Sequence, residues 1–211
     1  MSAYSQTSSP PTVGLRERRR RELVRSIASA AVDLFEQKGF PATTIDDIAE
    51  MAGISRTTFF RYCATKEAAV LVDDAGLEIE LVAIAEAAAA DEPLRALERA
   101  WKKMTDVFDA DADGRDRFLR VRRLMRDNPP LLAAGLERDA RLSATLATAI
   151  ERGGVDSLDA YAVAESFAVG MRLTFDEWVR LADDAPAPPA LGTVYESVRA
   201  ALRRATETAR R

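Results

Sequence analysis

Histidine is absent from all 211 residues, and cysteine occurs once, at Cys63. The first absence removes the commonest general base and metal ligand among side chains. The second excludes a disulfide within one chain and leaves a single thiol, either a small core residue or a redox sensor. Its helical neighbours face inward, which favours the core. No run of about 18 apolar residues occurs, so no membrane-spanning helix is expected. The N-terminus has no basic-then-apolar layout of a secretory signal, and a cytoplasmic chain is the expectation. Alternating β-branched stretches bounded by turns are missing too, as is a glycine-rich phosphate loop following a strand. Carboxylates are plentiful but scattered over solvated helical faces. Asp109, Asp111 and Asp113 approach a calcium-loop spacing, yet the glycine and the distal glutamate are out of register. Neither an enzyme, a metal site nor a cofactor is expected.

What the chain has in quantity is alanine, leucine, arginine and glutamate, all strong helix formers. The expectation is an all-α protein of about nine helices. Its net charge of −4 hides an asymmetry: residues 1–66 carry a balance of +3 and residues 67–211 one of −7. A basic head on an acidic body suits a nucleic-acid partner, although surface charge also segregates by chance.

The densest punctuation lies in TIDDIAEMAGISRTTFFRYCATKE, from Thr44 to Glu67. Thr44 is an N-cap, and Asp47 stands three residues on as in a capping box. Ile45, Ile48, Ala49 and Ala52 make one apolar helical face. Gly53 supplies a left-handed stop, and Ser55 caps a second helix at once. Ile54 and Phe59 then fit a hydrophobic staple. Two short helices joined by a tight glycine turn predict a helix-turn-helix. On the second helix Phe59 and Cys63 share the inward face. Arg56, Thr57, Phe60 and Arg61 lie opposite, where arginine can read a guanine edge and threonine or phenylalanine can touch a thymine methyl. Tyr62 and Lys66, with the helix N-termini at Thr44 and Thr65, are placed for phosphates.

From Leu23 to Leu71, through AVDLFEQKGFPATTIDDIAEMAGISRTTFFRYCATKEAAV, the chain resembles the N-terminal domain of the TetR family of bacterial transcriptional regulators. That stretch is about a quarter of the chain. The resemblance implies that Thr44, Arg56, Thr57, Thr58, Phe60, Arg61, Tyr62 and Lys66 line double-stranded DNA, with the cap Ser55 among them. Phe60 stands where the family usually has tyrosine, Thr57 where glycine is common and Cys63 where an aromatic is common. One phosphate-binding hydroxyl is thereby missing.

Around this head, residues 1–15 read as a disordered tail, 16–66 as the helix-turn-helix domain and 67–211 as a domain for ligand binding and dimerisation, a bundle of about six helices. Arg16, Arg18, Arg19, Arg20, Arg21 and Arg25 form a basic arm that either reaches DNA or is a solvated first turn. A first helix is expected to Lys38, ended by Gly39 and Pro41. A helix from Thr65 to about Ala90 is expected to run unbroken between the domains, roughly 40 Å at about 1.5 Å per residue. An acidic loop over 109–113 follows the next helix. Arg120, Arg122, Arg123 and Arg126 either neutralise neighbouring carboxylates or meet an anionic head group.

The last two helices carry apolar seams, Ala164, Ala168, Met171, Phe175 and Trp178 on one and Leu191, Tyr195, Val198, Leu202 and Ala205 on the other. Such seams pack against a second copy as a four-helix bundle, or form the core of a single chain. Trp101, Met104, Phe108, Phe118, Met125, Phe167, Met171 and Phe175 are candidate pocket residues, with Arg122 as polar anchor. The leading expectation is a homodimeric, ligand-responsive regulator, a repressor released from a palindromic operator by a small apolar or amphipathic effector such as an acyl-coenzyme A. A helical adaptor that binds a protein partner without specific DNA recognition is the alternative.

Overall fold

The computed structural model describes residues 14–72, 75–185 and 188–208. Among them lie ten α-helices and no strand: α1 Leu15–Lys38, α2 Ile45–Met51, α3 Arg56–Tyr62, α4 Lys66–Ala69, α5 Ala75–Ala87, α6 Pro93–Ala110, α7 Ala112–Asp127, α8 Pro129–Arg152, α9 Ser157–Asp184 and α10 Leu191–Thr208. The expected disordered tail lies, up to residue 13, outside the described residues.

The head is α1 with the α2–α3 hairpin and α4 laid across it. Gly39, at φ 83°, turns the chain away from α1 as a non-glycine residue would not. Phe40 then folds back edge-on to Phe35, with centroids 5.0 Å apart. The buried hydroxyl of Thr43 donates to the carbonyls of Leu34 at 3.2 Å and Gly39 at 2.9 Å. That latch fixes where α2 begins. Ile27, Ala31, Leu34, Phe35, Ile48, Phe59 and Cys63 fill the head's core. The boundary between 66 and 67 falls inside α4, whose Ala69, with the following Val70, packs in the same cluster. Val121, Met125 and Leu131 complete that cluster from α7 and α8.

The body is a bundle in which α8 and α9 form the central pair, flanked by α5, α6, α7 and α10. Its core centres on Trp101, Leu146, Ile150, Phe167 and Trp178. The proline-rich return is tied just ahead of α10. Trp178 Nε1 donates to the Pro189 carbonyl at 2.9 Å, and Arg115 donates to that of Pro188 at 3.3 Å.

Three expectations are corrected. The unbroken helix from Thr65 to Ala90 is instead α4 and α5, because the chain turns at Val70 and Leu71, where the Leu71 N–H reaches back only to Ala68. The β-branched Val70 and Val72 favour that break over helix. Among the described residues the helices therefore number ten against the expected figure of about nine. The acidic loop over 109–113 is no loop: α6 ends at Ala110 and Asp111 caps α7 directly, accepting from the Gly114 N–H at 3.0 Å. Finally, Ala164, Ala168, Met171 and Trp178 of α9 and Leu191 and Tyr195 of α10 are buried within the single chain, so most of the α9 seam and the first part of the α10 seam are internal core, while Ala205 is exposed. The outward face of α9 carries Leu158, Tyr161 and Leu173 instead.

Candidate DNA-reading face and effector cavity

The α2–α3 hairpin is held by its own caps. Thr44 accepts from the Asp47 N–H at 3.1 Å while the Asp47 carboxylate accepts from the Thr44 N–H at 2.8 Å. Lys38, reaching across from α1 to 2.8 Å, then joins Thr44 in holding the Asp47 carboxyl well below the usual carboxylate range. After Gly53, at φ 67°, the Ile54 N–H closes on the Ala49 carbonyl at 2.9 Å. Ser55 caps α3, accepting from the Thr58 N–H at 3.1 Å. Apart from the Lys38 bond, these contacts are local, so the hairpin's angle is set largely by residues within it.

That arrangement turns Phe59 fully inward and leaves Phe60 45% exposed. Arg56, Thr57 and Arg61 are exposed beside it, with Ser55 and Thr44 at the rims and Thr58 and Tyr62 half-buried. Two of these side chains are already oriented. Arg56 pairs with Asp46 of α2 at 2.7 Å and lies 5.2 Å from the Phe60 centroid, and Arg61 lies 5.4 Å from that of Tyr62. Arginines braced this way lose less freedom when they meet a base or phosphate. Cys63 is buried, and desolvation pushes its thiol up to about 11, an inert core group and not a sensor.

Lys66 departs from the expectation of a phosphate contact. Its ammonium turns into the head, donating to the Phe40 carbonyl at 2.6 Å and the Thr43 carbonyl at 2.9 Å, and it sits 4.2 Å from the Phe40 centroid. It stitches α4 to the α1–α2 turn, so two of its three N–H groups are engaged inside the protein.

A cavity of about 320 Å³ opens between the body helices. Trp101, Met104, Phe108, Phe118, Arg122, Met125, Met171 and Phe175 line it. Phe118 and Phe175 stand 4.8 Å apart, with Phe108 and Trp101 edge-on at 5.5 and 5.6 Å. Phe167 is corrected out of the site: it is fully buried behind Trp101, at 6.3 Å, in the bundle core. Arg25 of α1, with Val70 and Leu71 just beyond α4, also borders the space. Arg122 is not a free anchor, because Asp176 holds its guanidinium at 2.6 Å against the Phe175 ring. Arg138 is likewise paired with Glu78 across α8 and α5. Asp139 faces the same cavity, and burial pushes its carboxyl up against the pull of Arg122, Arg138 and Arg172.

Residues 27–71 match the family model described as bacterial regulatory proteins, tetR family. Along nearly its whole length the chain is similar to the HTH-type transcriptional regulator TcmR of Streptomyces glaucescens, 34% identical over 208 residues, covering 94% of this chain and 91% of that protein. The chain belongs to the TetR family. It is thus a DNA-binding transcriptional regulator, and α2–α3 is its helix-turn-helix. A shorter similarity, 44% identity over 57 residues and 27% of each chain, relates this TetR-family head to the HTH-type transcriptional regulator RutR of Escherichia coli strain K12. The crystal structure of the TetR-family repressor FadR of Thermus thermophilus with lauroyl-CoA aligns at TM-score 0.47 and 24% identity, covering 83% of this chain and 90% of that one.

The four arginines of α7 left open between carboxylates and an anionic ligand, Arg120, Arg122, Arg123 and Arg126, find carboxylates in this TetR-family chain. Arg120 meets Asp33 and Glu36, Arg122 meets Asp176, and Arg123 and Arg126 share Asp183. Sequence reasoning missed Asp139, Glu78 and Gly135 at the cavity. An isolated glycine inside a long helical pattern was a readable signal for Gly135, since a Cβ there would collide with the Met125 methyl.

Proposed function

We propose that the chain acts as a homodimeric, one-component repressor whose body binds a small apolar or amphipathic effector and thereby releases the operator. One observation supports this above others: the aromatic cavity of the body is bordered by Arg25, Val70 and Leu71, residues that also belong to or adjoin the head. An occupant would touch both parts at once. It can shift their balance only by binding one arrangement better than the other. The volume suits a small site lined by aromatic side chains, and the charges around it are mostly paired already, which favours an apolar body over a highly charged one. An acyl chain, as in an acyl-coenzyme A ester, is one such body and a small aromatic metabolite another.

The second copy would lie against α9 and α10, over the outward face of α9 where Leu158, Tyr161 and Leu173 are exposed. Two-fold pairing there would present two α3 helices to successive major grooves, about 34–36 Å apart or at another groove-compatible spacing. The test is titration of the full chain onto the DNA upstream of its own gene, with acyl-coenzyme A esters and aromatic metabolites added in turn. A salt-resistant complex dissolved by one class, with a matching rise in melting temperature, is the expected result. Weak binding erased by modest salt, or a complex that no ligand in either class affects, refutes the corresponding half of the proposal.

A further inference from the structure

The head and the body meet along α7, and the meeting has two parts. Val121 and Met125 are buried in the head's apolar cluster while also lining the cavity. One position before Val121, the Arg120 guanidinium crosses to α1. There its Nε donates to both oxygens of Glu36, at 3.0 and 3.1 Å, and its Nη2 reaches Asp33 as well as Glu36. Two acids one helical turn apart thus receive one planar fork, a geometry that resists rotation of α1 about α7 in a way that apolar contact alone does not. Nothing in this grip touches α2, α3 or their caps.

We infer that Arg120 is a positioning residue for DNA recognition: by gripping Glu36 and Asp33 it fixes the angle at which the reading head leaves the body, and so the half-site spacing that the dimer accepts. The inference rests on the proposed dimer on two half-sites. Once one head is bound, the second binds as an intramolecular event whose effective concentration depends on how narrowly its position is restrained. Loosening α1 against α7 lowers that concentration and leaves the contacts of either head unchanged. The clasp also sits on the helix that an occupant of the cavity would press, so it is the joint such an occupant acts upon.

The experiment starts with symmetric duplexes selected from a random library by the wild-type chain. Binding is then measured to the selected site, to a single half-site, and to versions with one or two base pairs inserted at the centre. Arg120→Ala is expected to bind the half-site within about twofold of wild type, to lose about tenfold on the paired site, and to discriminate less between spacings. Arg120→Glu with Glu36→Arg, which rebuilds the pair in reverse, should recover most of the loss, whereas Arg120→Glu alone should not. A loss equal on half-site and paired site would assign Arg120 to folding alone and overturn the inference, as would unchanged spacing discrimination in both Arg120→Ala and Arg120→Glu. If the wild type itself shows no gain from a second half-site, the dimer reading fails first and takes this inference with it.

Discussion

Lys66 offers the sharpest test, because a phosphate role and an internal one predict different measurements. Lys66→Met keeps the apolar stem and removes every N–H of the ammonium. The carbonyls of Phe40 and Thr43, accepting at 2.6 and 2.9 Å, then lose a charged donor in a half-buried turn. A hydrogen bond to a charged group contributes about 1.5–3 kcal/mol, and the two here share one donor and admit some water. The loss should therefore be roughly 2–3 kcal/mol in total, which for a chain of this size lowers the melting temperature by about 4–12 °C. Thermal unfolding followed by circular dichroism reads this without any DNA. A phosphate contact predicts instead an unchanged melt and a salt slope of operator binding smaller by about one. A melting temperature within about 1 °C of wild type would refute the internal role.

Arg56→Ala should weaken operator binding by roughly 1–3 kcal/mol and relax preference at one base position. The melt should barely move, since the Arg56–Asp46 pair is exposed; an unchanged preference in site selection would remove Arg56 from base reading. Gly135→Ala should drive the Met125 methyl from its place, and because Met125 both lines the cavity and packs in the head's cluster, effector affinity and operator binding should both fall; calorimetric titration with whichever ligand dissolves the complex, and operator titration without it, check this. Tyr195→Phe should leave stability unchanged or raise it by about 1 kcal/mol, because the buried hydroxyl finds no partner among the described residues; denaturant unfolding measures it. Cys63, its thiol raised to about 11 by burial, should resist iodoacetamide in the native protein at neutral pH and react only on unfolding, as mass spectrometry would show.

The helix-turn-helix was legible because its signals are local. Thr44 with Asp47, Gly53 and Ser55 each act within four residues, and each does in the structure what its spacing foretold. The aromatic cavity was legible as well, since Trp101, Met104 and Phe108 recur on one face of α6. What escaped were relations between segments distant in the chain. Lys66 reads as a basic residue beside a DNA face, and only folding brings it 23 residues back onto the Thr43 carbonyl. The seams of α9 and α10 read first as an interface, with core as the alternative, because periodicity reports that a face is apolar and not what covers it. Phe167 illustrates the same limit: it shares the aromatic character of Phe175 yet lies behind Trp101. The break at Val70 and Leu71 was hidden by an apolar stripe that continues on either side of it.

The cluster shared by Val121, Met125, Leu131 and the helices of the head bears on how this protein can be cut or recombined. A fragment ending at Lys66 would leave Ile27, Phe35 and their neighbours without the side chains that roof them, and it would lack Ala69 and Val70 as well. The reading element is therefore no cassette to be clipped out and grafted onto another scaffold. Any chimaera built from this chain must carry the matching stretches of α7 and α8 along with it, or redesign the seat they form.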